Sequence, residues 1–305
     1  PWTGRMLLHP SGVPVPMPAL VPILIPALFV LLWSAGFIAA KIGLSHSGAL
    51  SYVFLRFALA ALMMVVIALA LRAQWPRQPG LIGHIVVAGL LQHAIYLTPN
   101  FWVMDHGFPA ALVALIGALQ PLLTAVLAGW LLGERAGLRQ WLGLLVGLAG
   151  VVMVLSDRIA FDWRSPLDAA LVLLGMVSLT LGTIWQKRCC GQMDLLAGSA
   201  VQLLAAALFS GLAMLLFEGF EADFSLPFNL SLLYMSCMSV LLYTLMHAMF
   251  RGAQAARVAS LFYLIPPVTA LMTWFVIGER MGALAMLGMA VTVAGVAMAV
   301  RRQAL

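Results

Sequence analysis

Ten stretches of mostly apolar side chains, each 16 to 24 residues long, follow one another along this chain, and short connections between them carry most of the charges. An α-helix rises 1.5 Å per residue, so about 20 apolar residues cross the hydrocarbon of a bilayer. The pattern predicts membrane-spanning helices over 22–43, 51–71, 81–103, 109–132, 140–155, 168–185, 195–217, 230–250, 257–277 and 283–300. The fifth is short and is expected to gain length at its ends. Residues 1–19 are rich in proline and show no helical period, so a flexible tail is expected there.

The second half of this pattern copies the first. Residues 110–153 align without a gap on 255–298, an offset of 145. Pro121 falls on Pro266, Thr124 on Thr269, and Gly133-Glu134-Arg135 on Gly278-Glu279-Arg280. Gly143 and Gly150 fall on Gly288 and Gly295. Nearer the start of each half, Gly36 and Lys41 meet Gly182 and Lys187 at an offset of 146. Two units are expected, 20–157 and 165–302, each of five helices. Five is odd, so the second unit enters the membrane from the opposite side. Inverted duplication is a frequent plan of secondary transporters, whose substrates bind near the midplane where the halves meet. The expected fold is an all-α integral membrane protein of ten transmembrane helices, arranged as two inverted five-helix repeats around a central cavity.

Composition excludes a water-soluble body. The chain is 64% hydrophobic and 9% charged, with a mean hydropathy of +1.06, where a soluble domain carries about 25% charged residues. The apolar character does not stop after the first stretch, which argues against a cleaved signal peptide. Lysine and arginine then set the orientation. With the N-terminus in the cytoplasm, the inside segments hold eleven bases: Arg5, Arg72, Arg77, Arg135, Arg139, Lys187, Arg188, Arg251, Arg257, Arg301 and Arg302. The outside holds four, Lys41, Arg158, Arg164 and Arg280, and the connection at 218–223 has Glu218, Glu221 and Asp223 with no base. Both termini are therefore expected in the cytoplasm. The formal charge of +6 reflects this bias. No basic patch is interleaved with aromatic residues, so no nucleic-acid partner is expected.

Together these residues resemble the drug/metabolite transporter superfamily, in its ten-helix family built from two EamA domains. The resemblance rests on Trp33, Gly36, Phe37 and Lys41, on Arg56-Phe57, and on the run Pro121, Gly133-Glu134-Arg135, Gly143, Gly150 with its copy at Pro266, Gly278-Glu279-Arg280, Gly288, Gly295. It covers about residues 22–300. Within the family the chain is most similar to bacterial exporters of aromatic and other neutral amino acids. The resemblance implies a multi-pass protein of the bacterial inner membrane, with helices one to four and six to nine lining the cavity and five and ten at its periphery. The second half departs from the pattern where Leu179 replaces the tryptophan and where no Arg-Phe pair follows.

Candidate cavity residues are those that lipid would penalise or that share a face with them. Trp33, Phe37 and Lys41 recur every four residues along one helical face. Lys41 either meets a substrate carboxylate or snorkels to the headgroups. His93, Tyr96 and Asn100, spaced three and four apart, form a polar stripe in the third helix, and Tyr243 and His247 form one in the eighth. Such stripes either line a cavity or join helices. Gln120, Trp185 and Tyr263 complete the set. Pro121, Pro266 and Pro267 remove donors and crowd the preceding turn, so bends are expected there, either as plain packing kinks or with a part in gating. Arg56, Glu134, Arg135, Glu279 and Arg280 are expected to brace the structure, Arg56 as a clamp on helix-end carbonyls or the lipid interface with contact to substrate as its alternative, and either Glu capping the helix that follows it. Gly143-x-x-x-Gly147 is a small-residue face that packs within the fold or between protomers. A monomer is expected, with a weak dimer as the alternative.

The sequence does not point to an enzyme, a metal site or a cofactor. Cys189, Cys190 and Cys237 have no ligand spacing, the histidines lack zinc-site spacing, and there is no phosphate loop or nucleophile elbow. The expected partners are a small-molecule substrate and membrane lipid. An alternating-access exporter of neutral amino acids is expected, with export of another metabolite or drug, such as a nucleoside, sugar or cationic compound, as the alternative, and a channel or an intramembrane enzyme as further ones. Asp105, Glu134, Asp168 and Glu279 all sit near helix ends, which counts against a cation-drug antiporter.

Overall fold

A computed structural model of the chain describes residues 21–156, 166–252, 254–277 and 282–300. The tail expected over 1–19 and the expected braces Glu279 and Arg280 lie outside the described residues. Ten helical segments long and apolar enough to cross a membrane are present among the described residues. The first two spans are α1 (Val21–Leu44) and α2 (Ala49–Ala70). The third joins α3 (Pro79–Gly89), a π-helical turn (Leu90–Ala94) and α4 (Ile95–Asp105). The fourth joins α5 (Ala110–Gly117) and α6 (Gln120–Leu131), and the fifth is α7 (Leu138–Leu155). The sixth to eighth are α8 (Pro166–Cys189), α9 (Leu195–Phe217) and α10 (Leu226–Gly252). The ninth joins α11 (Ala255–Ser260), a 3₁₀ turn (Leu261–Leu264) and α12 (Ile265–Ile277), and the tenth is α13 (Ala283–Val300). Helices satisfy their backbone N–H and C=O groups internally, as a lipid surrounding demands. Leu208, Leu215, Phe217 and Phe275 accordingly face outward without polar cover.

The expected bends have a local cause. Pro121 has no N–H for the Gly117 carbonyl, and its ring crowds that group. Helix α5 ends at Gly117 and α6 resumes at Gln120. In the copy, Pro266 and Pro267 deprive Phe262 and Tyr263 of the same bond, and the chain tightens there into the 3₁₀ turn. The π turn of the third span has no equivalent in α10, which is continuous. The sixth span braces it: Ser178 Oγ donates to the Leu91 carbonyl at 2.8 Å and Gln92 Nε2 to the Gly182 carbonyl at 3.1 Å.

Packing follows the duplication. Helix α7 lies along α13 and α2 along α9; α1 packs on α10 as α8 packs on α4, and α1 meets α12 as α8 meets α6. These pairings map onto one another when the halves are exchanged, the contact pattern of an inverted repeat. A seam of glycines brings α7 and α13 together. A Cβ on Gly143 would lie 2.5 Å from the Ala299 nitrogen, one on Gly150 would lie 2.5 Å from the Thr292 nitrogen, and one on Gly295 would strike the Gly147 backbone. The small-residue face of the fifth span is thus occupied inside the fold by its own repeat partner. At the end of the bundle holding the α1–α2 turn, the N–H groups of Leu50 and Ser51 donate to the Glu218 carboxylate at 2.9 and 2.8 Å. A negative group at a helix N-terminus is stabilising, so the acidic connection is docked onto the start of the second span.

Candidate substrate cavity

A cavity of about 550 Å³ lies where the two halves meet, within the range of about 300–1,000 Å³ usual for small-molecule sites. Its walls come from α1, α2, α4, α5, α6, α8, α10 and α12, with Leu155 at the end of α7 and Phe262 in the bend before Pro266. It reaches Lys41 and Leu44 at one end of α1 and Met104 near the end of α4, and no residue around Glu134 and Lys187, at the opposite end of the bundle, lines it.

Seven of the residues expected in a cavity line this one: Trp33, Phe37, Lys41, Tyr96, Asn100, Gln120 and Tyr243. His93, Trp185, His247 and Tyr263 are placed elsewhere. The stripe of His93, Tyr96 and Asn100 assumes an α-helical period. The π turn at Leu90–Ala94 holds an extra residue and changes the face. His93 consequently lies fully buried behind the wall, with its ring 3.9 Å from that of Tyr243. His247 is also behind it, with Nδ1 3.2 Å from Ser199 Oγ. Tyr263 is buried against Gly147 of α7. Trp185 sits beside His84 on the outer surface, ring centroids 5.5 Å apart. Pro266 lines the cavity, and Pro121 and Pro267 do not.

The wall is aromatic and aliphatic with a few polar groups. Trp33 and Phe262 meet edge to face at 5.0 Å. Asn100 donates to the Tyr96 carbonyl at 2.8 Å, which leaves its Oδ1 without a partner. Both polar atoms of Gln120 and the Thr269 hydroxyl are likewise unpartnered. Buried polar atoms in folded proteins are nearly always bonded, and exceptions gather where a ligand or water is bound. Arg56, expected among the braces, also lines the cavity. Its Nε donates to Ser239 Oγ at 2.9 Å and its guanidinium lies 5.7 Å from the Phe57 ring centroid. The lining includes Arg56 and Lys41 and no Asp or Glu among the described residues. Phe262 and Ser239 are not distinguished by sequence. The only signal for Ser239 is that it stands four residues before Tyr243 on the same helix.

The opposite end is tied shut. Gly133 adopts a left-handed φ of +68°, which a side chain rarely tolerates, and the Glu134 N–H returns to the Ala128 carbonyl at 3.2 Å. This turn aims Glu134 at the second half. Its carboxylate pairs with Lys187 at the end of α8 and accepts the Ala255 N–H, at the start of α11, at 2.8 Å. Both of these Glu134 partners belong to the second half. Arg135 is exposed, and Arg188 Nη1 donates to the Leu131 carbonyl at 3.5 Å.

Among the described residues no group of three His, Cys, Asp or Glu side chains is placed to hold a metal ion, and the three cysteines are free. Burial, and then the neighbouring Cys189, pushes the Cys190 thiol up to about 12, so it is not a thiolate nucleophile at neutral pH.

Ten crossing helices in two related halves, with a cavity between the halves, define a multi-pass membrane transporter for small molecules rather than an enzyme. The model of the EamA-like transporter family matches residues 20–156 and again 168–301, and the chain belongs to that family. It is 27% identical over 249 residues to the "Uncharacterized transporter YvbV" of Bacillus subtilis, covering 79% of this chain and 78% of that protein. It is 25% identical to the "Probable amino-acid metabolite efflux pump" of Escherichia coli, over 87% of this chain and 90% of that one. It is 26% identical to the "Probable terminal-alkyne amino-acid exporter" of Streptantibioticus cattleyicolor, over 90% and 91% of the two chains. A solved crystal structure at 21% identity superposes with a TM-score of 0.76 over 90% of this chain and 96% of that one, a likeness of fold. The spans and the similarity to the "Uncharacterized inner membrane transporter YedA" of Escherichia coli, 25% identical over 86% of this chain and 85% of that one, make this a multi-pass protein of the bacterial inner membrane.

Proposed function

We propose that the protein exports neutral amino acids, large hydrophobic and aromatic ones included, by alternating access, with both termini in the cytoplasm. The observation that carries this reading is the cavity wall. Trp33, Phe37, Tyr96, Tyr243 and Phe262 supply aromatic surface, which suits an apolar side chain. The unpartnered oxygens of Asn100 and Gln120 suit an ammonium donor. A zwitterion needs partners for both of its charges, because either one left dry is costly. Two of the relatives above are named as amino-acid or amino-acid-metabolite exporters, which supports the same substrate class.

Counterflow in liposomes containing the purified chain tests the proposal, with labelled amino acids, nucleosides and sugars outside and unlabelled solute inside. Uptake of phenylalanine, leucine or similar amino acids is expected. Exchange of nucleosides or sugars with no amino-acid signal would overturn the substrate class and leave the fold and family untouched. Comparing counterflow with and without a pH gradient would show whether protons are coupled.

A further inference from the structure

We infer that Arg56 is the anchor for the carboxylate of the transported molecule; this rests on reading the cavity as the substrate site. Arg56 is 7% exposed, yet lines the cavity. A cation at this depth of a membrane protein is expensive without a counter-charge. No carboxylate supplies one: among the described residues, neither the lining nor any ion pair of Arg56 includes Asp or Glu. The alternative role, a clamp on helix-end carbonyls, is not what the structure builds. Of its five N–H donors, Arg56 uses Nε on the Ser239 hydroxyl, and no carbonyl accepts from it among the described residues.

The side chain is nevertheless held in one orientation. Ser239 Oγ accepts from Arg56 Nε at 2.9 Å and donates to the Met235 carbonyl at 2.8 Å. Ser236 Oγ, one turn away on α10, donates to the Arg56 carbonyl at 3.2 Å. A residue of the first half is thereby positioned by a helix of the second, with Phe57 beneath the guanidinium. This consumes Nε and leaves the two terminal nitrogens for the cavity. Paired terminal nitrogens of a fixed guanidinium match the two oxygens of a carboxylate. The largely apolar lining around Arg56 strengthens such a pair by excluding water. Lys41, exposed and part of the same lining, adds positive potential and is not needed for the anchor.

The test uses the full chain in liposomes. Counterflow is measured with labelled phenylalanine, phenylpyruvate, uridine and glucose, and phenylalanine is competed with phenylalaninol, in which a hydroxymethyl group replaces the carboxylate. Wild-type protein is expected to prefer phenylalanine to phenylalaninol by roughly tenfold or more, the value of a charge-assisted hydrogen bond. Arg56→Gln is expected to abolish that preference while still binding phenylalaninol. Arg56→Lys, which keeps the charge and loses the fork, is expected to retain part of it, and Ser239→Ala to weaken it by freeing the guanidinium. If Arg56→Gln does not yield monodisperse protein, Arg56→Lys and Ser239→Ala carry the comparison. Amino-acid exchange with undiminished discrimination in these variants, or a wild type with no discrimination, would overturn the anchor alone. Transport of phenylpyruvate without amino acids would overturn the exporter reading and support the anchor. Transport of uncharged solutes only would overturn both.

Discussion

The Glu134 carboxylate forms an ion pair with the Lys187 ammonium, joining the hairpin of the first half to the end of the sixth span in the second. The same carboxylate accepts the Ala255 N–H at 2.8 Å, so three spans converge on one side chain. Both charged groups are about one-fifth exposed, at 21% and 18%, which shields the pair partly from solvent. Glu134→Gln and Lys187→Met should each lower stability by about 1 kcal/mol through loss of the pair, and of the helix-end contact in the case of Glu134. The double variant should lose less than the sum, since both changes break the same bond. Thermal unfolding in detergent across the four proteins measures this. Additive losses would show that the pair contributes nothing to closing that end.

The seam between α7 and α13 should tolerate no added carbon. Gly295→Ala would drive a methyl into the Gly147 backbone and should cost about 1–3 kcal/mol by overpacking. A Cβ on Gly83 of α3 would meet nothing within 4 Å, and Gly83→Ala should be neutral or stabilise by up to about 1 kcal/mol through helix propensity. Yield of monodisperse protein and its unfolding temperature distinguish the two. Equal behaviour would mean that the fifth and tenth spans are not in close contact.

Residues of the cavity wall and residues just behind it should respond differently. Tyr96→Ala and Asn100→Ala should lower counterflow about tenfold beyond any fall in yield, the effect of losing a substrate contact. His247→Ala removes the partner of the buried Ser199 hydroxyl, so activity and yield should fall in step. Leu208→Ala, on the lipid-facing surface, should change neither. Activity tracking yield in all four variants would return Tyr96 and Asn100 to a packing role.

Orientation follows from the distribution of bases. Single cysteines placed in the connection at 72–80 should be shielded from an impermeant thiol reagent in intact cells, and cysteines at 218–223 should react, once Cys189, Cys190 and Cys237 are replaced. Labelling of 72–80 from outside would reverse the orientation of the bundle and turn the Lys41 end toward the cytoplasm.

Much of the fold is legible in the chain because it depends on local chemistry. The tenth span, expected over 283–300, is Ala283–Val300. The sixth, expected to end at 185, continues to Cys189, and the eighth, expected to begin at 230, starts at Leu226. The first extension carries Gln186, Lys187 and Arg188, and the second ends in the polar Asn229. Hydropathy marks the hydrocarbon, while backbone hydrogen bonding continues the helix into the interface, where Lys187 and Asn229 are at home. The interruption near Pro121 and its copy near Pro266 are also readable, since a missing N–H acts on its own turn.

The cavity is only half legible. Seven of its expected residues line it, but the π turn moves His93 off the face that period alone assigns to it. A π turn depends on what packs against it, here Ser178 and Gly182 of the sixth span. Apolar length, duplication and proline position, each a property of neighbouring residues and their transfer to lipid, were determined by the sequence by itself. The tertiary structure alone decided which side chain meets which. Glu134 finds Ala255 across 121 residues and Arg56 finds Ser239 across 183, and partners so far apart are set by the packing of two halves, on which no local pattern reports.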